Sequence, residues 1–278
     1  MSYLEQIKKF QKKYKVSCII PAWNEEENIS KVIKVVKTYP VFDEIIVVDD
    51  GSKDNTVKIV KQFNVKHLKL ISHKFNQGKT AAVKTGVDNS RGDLIVLLDA
   101  DLIGLSHENI SKMIFYVLNK QCDLTILDRA GDRSAIWGWT NCARFFGGER
   151  AFWKKDFLEI KLPYEGGYLL EIVMNLHYIK RNKKIRNVYC DNLYTVHQYH
   201  KFGIMRGYYN YLKMSIKIVR KATVRGFISQ IRTIEDDHKY FQFRKWQESS
   251  VKKYRYARKK VILKSRYYWS NLSKLIKF

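Results

Sequence analysis

Two carboxylates, Asp99 and Asp101, follow a run of apolar residues that begins at Leu94. The run contains no polar break, which predicts a strand buried on both faces, as in a parallel sheet. Open α/β sheets bind their ligands at the carboxyl ends of such strands. Two neighbouring carboxylates are costly to bury there without a cation, so the pair indicates a site for a divalent metal and a phosphorylated ligand. An isolated pair with this spacing is more often two solvated turn residues, and the remaining motifs have to distinguish the two interpretations.

Three similar units of strand, turn and helix precede this strand. Apolar segments at 16–20, 44–48 and 67–72 predict the strands, and the segments that follow repeat apolar residues at helical spacing. Because crossovers between parallel strands are right-handed, this alternation predicts a mainly parallel sheet with flanking helices. A second pair of carboxylates, Asp49 and Asp50, follows the strand at 44–48. A capping or turn role explains only one of them.

A glycine and a lysine, Gly78 and Lys79, begin the helix that follows the third strand. The segment is not a Walker A loop, because that motif needs a glycine at the position occupied by His73. A lysine beside the free N–H groups of a helix N-terminus suits a phosphate group. An ordinary helix start explains the same residues equally well.

The segment at 128–150 differs in composition from the sheet-forming part of the chain. It contains four arginines and two tryptophans punctuated by glycines, which predicts a mobile loop over an anionic or sugar ligand. A partly helical connection with solvated arginines is the alternative. The arginines are Arg129, Arg133, Arg144 and Arg150.

Three features follow this segment. Apolar residues at helical spacing predict a helix that runs through Ile179, and 185–188 is predicted to be an edge strand. His197 comes next. A single histidine is usually structural, so this one is a candidate metal ligand only if the chain brings it back to the carboxylates.

The charge of the chain is strongly unbalanced, with 52 lysines and arginines against 27 aspartates and glutamates and a formal net charge of +25. Such an excess implies an anionic partner, whether nucleic acid, a membrane surface or a phosphorylated substrate. Basic residues dominate the end of the sequence, so we expect an α/β domain at 1–203 and a basic, aromatic-rich helical region at 204–278. The second region suits an anionic membrane surface, RNA, or packing on the domain.

The cysteines and the hydropathy pattern indicate a cellular compartment. The four cysteines form no CxxC pair and no zinc-binding pattern, which is typical of reduced thiols. No apolar run approaches the roughly 18 residues that span a bilayer, and the first residues lack a signal-peptide core. We therefore expect a cytoplasmic protein, soluble or peripheral on the inner face of the membrane.

Four motifs, in one order, resemble those of the family 2 glycosyltransferases of GT-A fold. They are IIPAWNEEENI at 19–29, VDDGS at 48–52, NQGK at 76–79 and DAD at 99–101. Each motif is weak alone, but the combination is specific and covers residues 16 to about 203. Motifs at 148–150, 167–171 and 196–197 are similar to those of glucosyl-3-phosphoglycerate synthases. The first half is equally similar to dolichyl- and polyprenyl-phosphate sugar transferases.

The resemblance implies a GT-A-type α/β fold and a nucleotide-sugar donor. Contacts to the nucleoside are assigned to Pro21, Ala22, Glu25, Asp50 and Ser52. The resemblance places Lys79 near the diphosphate and Asp99 in contact with the ribose or with metal-bound water. Gly78 and Ala100 are further predicted nucleotide-sugar-binding residues.

The resemblance also implies a divalent metal, Mg²⁺ or Mn²⁺, bound by Asp101 and His197. Glu171 resembles the residue that holds the donor-sugar hydroxyls, and Glu149 falls in the loop that flanks the sugar. Asp101, Glu171 and Glu149 are therefore the predicted catalytic residues. The loop arginines Arg129 and Arg133 are predicted to hold an anionic acceptor.

The chemistry of sugar transfer agrees with this assignment. A bound divalent cation stabilises the departing nucleoside diphosphate. Oxygen ligands alone favour Mg²⁺, and an added imidazole shifts the preference toward Mn²⁺. No carboxylate base motif for a neutral hydroxyl acceptor is evident, which is compatible with a phosphate acceptor or with a retaining mechanism.

These observations predict a metal-dependent glycosyltransferase that acts on an anionic acceptor, lipid-linked or at the membrane surface. One alternative is a soluble, retaining, phosphoglycerate-type glucosyltransferase. An alternative of another class is a non-catalytic nucleic-acid- or membrane-binding protein on the same scaffold, although the intact carboxylates argue against it. We do not expect nucleic acid to be a partner.

Overall fold

A computed structural model of the protein describes residues 2–10, 13–129, 147–162, 169–190, 193–195 and 235–236. The described residues belong to one compact unit, Met1–Asp237. Arg133, His197 and almost all of the predicted basic region lie outside the described residues, as does the side chain of Arg129.

In the described part of the chain, eight strands form one sheet. They are β1 Val16–Ala22, β2 Glu44–Asp49, β3 Leu68–Ser72, β4 Leu94–Leu97, β6 Leu124–Arg129, β7 Arg150–Trp153, β8 Ile185–Cys190 and β10 Glu235–Asp236. Two short strands, β5 Leu102–Ile103 and β9 Tyr194–Thr195, form a separate antiparallel pair. The order in the main sheet is β10-β8-β6-β7-β4-β1-β2-β3. All neighbours are parallel except for the two pairs that contain β7.

The order of the strands reverses beside β1, since β2 and β3 lie on one side of it and β4 on the other. Ala22 of β1 is in register with Asp49 of β2, and Ile19 is in register with Leu97 of β4. The carboxyl ends of the three strands therefore meet at one edge of the sheet. Ligands of open α/β sheets bind in the crevice at such a reversal.

Helices cover both faces of this sheet. They are α1 Tyr3–Lys8, α2 Ile29–Val36, α3 Thr56–Lys61, α4 Lys79–Asp88, α5 His107–Leu118, α6 Lys154–Leu158 and α7 Leu169–Lys180. Ile20 of β1 belongs to a hydrophobic cluster with Ile33 of α2, whereas Ile19 belongs to a second cluster with Val83 of α4 and Met174 of α7. Because alternate residues of β1 face different helical layers, the whole strand is buried, and it is apolar apart from Ser17.

The predicted α/β architecture with a mainly parallel sheet is confirmed, and two details need correction. The strand at Ile185–Cys190 is not an edge strand, because it lies between β6 and β10. Arg150 is not part of a loop but begins β7, which pairs with β4 and β6. Strand β10, which pairs in parallel with β8, comes from the region at 204–278, and the expected boundary at residue 203 stays a prediction. Among the described helices, none is both long and apolar enough to cross a membrane.

Candidate active site

The loop after β1 is hydrogen-bonded to the turn after β2. Asn24 N donates a hydrogen bond of 2.9 Å to Ser52 Oγ. Pro21 and Ala22 precede this loop as the last, buried residues of β1, and Glu25 follows it in a half-buried position. The fold thus brings these four predicted nucleoside residues to one edge of the sheet, where their contact with a nucleoside stays a prediction.

The carboxylate of Asp50 is buried beside the turn that precedes α4. Its Oδ1 accepts from Gln77 N over 3.0 Å, and its Oδ2 accepts from Gly78 N over 2.7 Å. His73 Nδ1 lies 2.8 Å from Oδ1, and this ring nitrogen donates because an ionised carboxylate only accepts. Gly78 has a φ of 91°, a conformation that favours glycine. Asp50 therefore fixes the backbone of the turn that immediately precedes Lys79. The sequence analysis did not reveal these contacts.

Lys79 is the first residue of α4, and its ammonium group lies between two carboxylates. Nζ is 2.8 Å from Asp99 Oδ1 and 3.1 Å from Glu171 Oε1. Burial by itself lowers the pKa of Lys79, but the surrounding carboxylates, with Asp99 contributing most, outweigh burial and raise it. The lysine is therefore charged at neutral pH and held by two ion pairs.

Three charged side chains beside this lysine, Glu149, Arg150 and Glu171, are at most 1% exposed. Arg150 Nη1 donates to Asn175 Oδ1 over 2.6 Å, and its Nε donates to the carbonyl of Gly147 over 2.9 Å. Burial lowers the pKa of Arg150 to about 10, against the opposite influence of the neighbouring glutamates. The guanidinium is thus charged at neutral pH.

Acidic and basic side chains surround Lys79 in the part of the chain that the structure describes. Asp99, Glu149 and Glu171 supply carboxyl groups, and Lys79 and Arg150 supply cations. The edge of the sheet at the end of β4 is therefore lined by charged groups, which suits a charged ligand.

The turn between β4 and β5 holds the predicted metal ligand Asp101, which is half-buried, and the buried Ala100. Carboxylate oxygens are the ligands that Mg²⁺ and Mn²⁺ accept, so Asp101 next to Asp99 fits a divalent ion in its chemistry. Within the described ranges, no three potential ligands are grouped together. His197, the other predicted metal ligand, lies outside those ranges, so its role stays a prediction.

The predicted acceptor residues are only partly covered. Strand β6 is parallel to β4, since both pair antiparallel with β7, so Arg129 at the end of β6 lies at the carboxyl edge of the sheet. Its side chain and all of Arg133 lie outside the described residues. Their role as acceptor ligands stays a prediction.

The sequence analysis did not assign three residues to the site that the structure places there. They are His73, Arg150 and Asn175. Arg150 could have been placed better, because Ala151 and Phe152 continue it as an apolar, strand-like segment. His73 and Asn175 carry no signal in the sequence, because their partners are distant along the chain and become neighbours only in the folded protein.

Solved structures with the same fold include glucosyl-3-phosphoglycerate synthase from Mycobacterium tuberculosis, in complex with Mg²⁺ and uridine diphosphate. That enzyme superimposes with a TM-score of 0.59 at 21% identity, over 69% of this chain and 75% of the other. A second structure of it, with Mn²⁺, uridine diphosphate and phosphoglyceric acid, gives a TM-score of 0.60 at 21% identity over 70% and 75% of the two chains. At this identity the likeness establishes a common fold.

Curated relatives match a shorter stretch. A dolichyl-phosphate beta-glucosyltransferase of Trichomonas vaginalis is 43% identical over 94 residues, which is 30% of this chain and 28% of the relative. The undecaprenyl-phosphate 4-deoxy-4-formamido-L-arabinose transferase of Proteus mirabilis is 39% identical over 100 residues, 34% and 31% of the two chains. The chain thus spans less than a third of the length of these two relatives.

A family model matches the part of the chain that contains this edge of the sheet, with the loops after β1, β2 and β4. The model of the family named glycosyl transferase family 2 matches residues 17–212, which is more than half of the chain. That match includes all the strands from β2 to β9 and every described residue around Lys79. On this evidence, the chain belongs to glycosyl transferase family 2.

Proposed function

We propose that this protein transfers a sugar from a nucleoside-diphosphate sugar, UDP- or GDP-linked, to a phosphate-bearing acceptor. One observation carries the proposal: the ammonium of Lys79 lies between Asp99 and Glu171 at the carboxyl end of β4. This arrangement supports the proposal, because an ammonium group can bind a diphosphate and a buried carboxylate beside it can accept hydrogen bonds from sugar hydroxyls. Membership of glycosyl transferase family 2 supports the same class of reaction.

On the donor side, each group has a distinct task. Lys79 and the free N–H groups at the start of α4 bind phosphate oxygens. As the ammonium turns toward the diphosphate, Glu171 becomes available to accept hydrogen bonds from the sugar. Asp101, with His197, would hold the divalent cation. When bound, that ion neutralises charge on the departing diphosphate.

On the acceptor side, the proposal favours a lipid phosphate. Relatives are named for dolichyl phosphate and undecaprenyl phosphate. A phosphate oxygen is already anionic, so it attacks without a general base, in keeping with the absence of an evident base motif. Arg129 and Arg133 would hold this phosphate. Phosphoglycerate is the second candidate, because a solved structure of similar fold contains phosphoglyceric acid.

The direct test is a donor and acceptor screen with the full chain. UDP-glucose, UDP-galactose, UDP-N-acetylglucosamine and GDP-mannose would each be incubated with Mn²⁺ or Mg²⁺ and either polyprenyl phosphate in vesicles or 3-phosphoglycerate. Mass spectrometry identifies the product and NMR its anomer. We expect glycosyl polyprenyl phosphate to form from one donor, only with metal. Consumption of no donor with either acceptor contradicts the proposal.

Two substitutions sharpen this screen. Asp101→Ala is expected to lower the rate by at least about 100-fold, because it removes the proposed metal ligand. Asp88→Ala removes a carboxylate from the exposed end of α4 and is expected to leave the rate unchanged. Equal losses in the two variants would argue against a metal site at Asp101.

We also propose that the basic region after residue 203 contacts an anionic membrane surface. The net charge of +25 supports it, since each lysine or arginine near an anionic bilayer contributes about 1 kcal/mol of attraction. Flotation with anionic and neutral vesicles, with and without residues 240–278, tests the proposal. Binding to anionic vesicles that survives the deletion contradicts it, and so does salt-resistant RNA binding in place of vesicle binding.

A further inference from the structure

Arg150 is a buried cation that the reaction proposed above does not use. It begins β7, where its Cα is in register with Leu97 of β4 on one side and Ile126 of β6 on the other. Its side chain is 0% exposed, so it reaches neither solvent nor the crevice directly. A fully buried arginine is rare without partners and is retained only where hydrogen bonds and opposite charges compensate its desolvation.

One partner of Arg150 belongs to the glycine turn at 147–148. Arg150 Nε donates to the carbonyl of Gly147 over 2.9 Å. The next residue, Gly148, lies so close to the ion pair of Asp99 and Lys79 that an added Cβ would be 2.6 Å from Lys79 Nζ. The guanidinium therefore holds the turn that forms one wall of the crevice.

A second partner belongs to α7. Arg150 Nη1 donates to Asn175 Oδ1 over 2.6 Å. Asn175 is four residues after Glu171, so both side chains lie on the same face of the helix. Glu171 in turn contacts Lys79 at 3.1 Å. The same guanidinium therefore also holds the helix that carries Glu171 and forms a second wall beside Lys79.

We propose that Arg150 is a positioning residue that joins the Gly147–Gly148 turn to the face of α7 carrying Glu171, and so fixes the spacing of the carboxylates around Lys79. The hydrogen bonds to Gly147 and Asn175 use two different N–H groups of the rigid, planar guanidinium. A lysine side chain cannot form this pair of bonds in the same geometry. Arg150 acts through Glu171 and Gly148, without touching the donor. The effect on catalysis rests on the function proposed above, whereas the effect on the two walls does not.

The first test measures hydrogen exchange of the ligand-free full chain, wild type against Arg150→Lys. Loss of the two directional bonds is expected to raise exchange by roughly tenfold in 147–153 and in 169–180, with β1 to β3 unchanged. Arg181→Lys makes the same replacement at an exposed arginine just after α7 and is expected to change neither segment. Asn175→Leu removes the acceptor while keeping the charge of Arg150, and is expected to raise exchange in 169–180. If Arg150→Lys does not fold, Asn175→Leu decides alone.

The second test separates binding from turnover with the donor identified by the screen. A displaced Glu171 is expected to lower kcat of Arg150→Lys by about 10- to 100-fold, because small misplacements of positioning groups cost about this much. The KM for the donor and the affinity for free nucleoside diphosphate are expected to change by less than about threefold, since the diphosphate contacts remain.

Two results would overturn the inference. One is exchange that rises in Arg150→Lys evenly over the whole sheet or in only one of the two segments, or that does not rise in 169–180 of Asn175→Leu, because Arg150 would then stabilise the fold without joining the walls. The other is an equal loss of nucleoside-diphosphate affinity and kcat. A wild-type chain without transferase activity would instead contradict the proposed function, while the exchange experiment would still decide the role of Arg150.

Discussion

The backbone of Gly148 packs directly against the carboxylate of Asp99. A Cβ on this glycine would overlap Asp99 Oδ2 and would lie 2.6 Å from Lys79 Nζ. Both atoms are the ends of side chains, so an added methyl group would displace the ion pair and leave the sheet in place. Because Gly148 has no side chain, there is room for the ion pair between Asp99 and Lys79.

Gly148→Ala is therefore expected to lower the rate of sugar transfer by about 10- to 100-fold, because it moves two groups of the site. The loss of stability is expected to be about 1 kcal/mol or less, since only side-chain ends must shift. Steady-state kinetics and urea unfolding measure the two effects separately.

Gly92→Ala provides the matched control. Its Cβ would overlap the Ser17 hydroxyl and lie 2.6 Å from the Ser17 backbone nitrogen, near the opposite end of β1. Because backbone cannot move aside easily, we expect a loss of about 1–3 kcal/mol in unfolding free energy with an unchanged rate per folded molecule. The interpretation fails if Gly148→Ala behaves like this control.

Lys79→Met tests the cation between the two carboxylates. Asp99 and Glu171 would lose their ion pair, and the diphosphate would lose its proposed ligand. Removing one such charged donor typically costs about 10²–10³ in rate, so we expect a loss of this size. Lys84→Met, on the exposed side of the same helix, is expected to retain wild-type kinetics. Similar kinetics for both variants would show that Lys79 does not take part in the mechanism.

Asp50→Asn tests the support of the turn before α4. The amide side chain cannot accept from both Gln77 N and Gly78 N and also from His73. Leaving a buried donor unsatisfied costs about 1–3 kcal/mol, so we expect a loss of that size in urea unfolding together with a raised KM for the donor.

Asp88→Asn is the control for this change, because Asp88 forms an exposed pair with Lys84 on the same helix, its one ion pair among the residues that the structure describes. Its effect on stability is expected to stay within about 0.5 kcal/mol. A raised donor KM with unchanged stability would instead assign Asp50 a direct contact with the nucleoside, as the resemblance implies.

The sheet could be predicted from the sequence because its central strands are continuous apolar runs. A residue such as Ile19 or Ile20 faces one helical layer or the other, and both layers demand an apolar side chain. Strand β7 escaped prediction because it begins with the charged Arg150. A buried arginine is recognisable only from its partners, and Asn175 lies 25 residues further along the chain.

The candidate site likewise contains residues that the sequence predicts and contacts that it does not predict. Asp99 and Lys79 could be predicted because they follow strands or begin a helix at one edge of a parallel sheet. The bonds of Asp50 to Gln77 and Gly78 could not be predicted, because they depend on how two loops meet in space. Local sequence determines which elements end at the edge, and packing between loops determines which polar atoms meet there.

Far from the candidate site, Glu44 gives the protein a pH-dependent stability. Its Oε1 accepts a hydrogen bond of 2.6 Å from Ser17 Oγ and another from Arg91 N, and Arg91 Nε lies 3.3 Å from Oε2. Burial alone raises the pKa of Glu44, but these hydrogen bonds outweigh burial and lower it below the usual 4.5. The ionised form is therefore favoured in the folded state.

A folded-state pKa below the unfolded value means that Glu44 contributes stability above the unfolded pKa and loses it as the pH falls through the folded pKa. We expect Glu44→Gln to lower the unfolding free energy by about 1.5–3 kcal/mol at pH 7, the range for hydrogen bonds to a charged group. This difference from wild type should shrink as the pH falls below 4.5. Urea unfolding at several pH values measures it, and Glu27→Gln at an exposed position serves as the control. A difference that stays constant with pH would show that Glu44 stabilises the fold by shape rather than by charge.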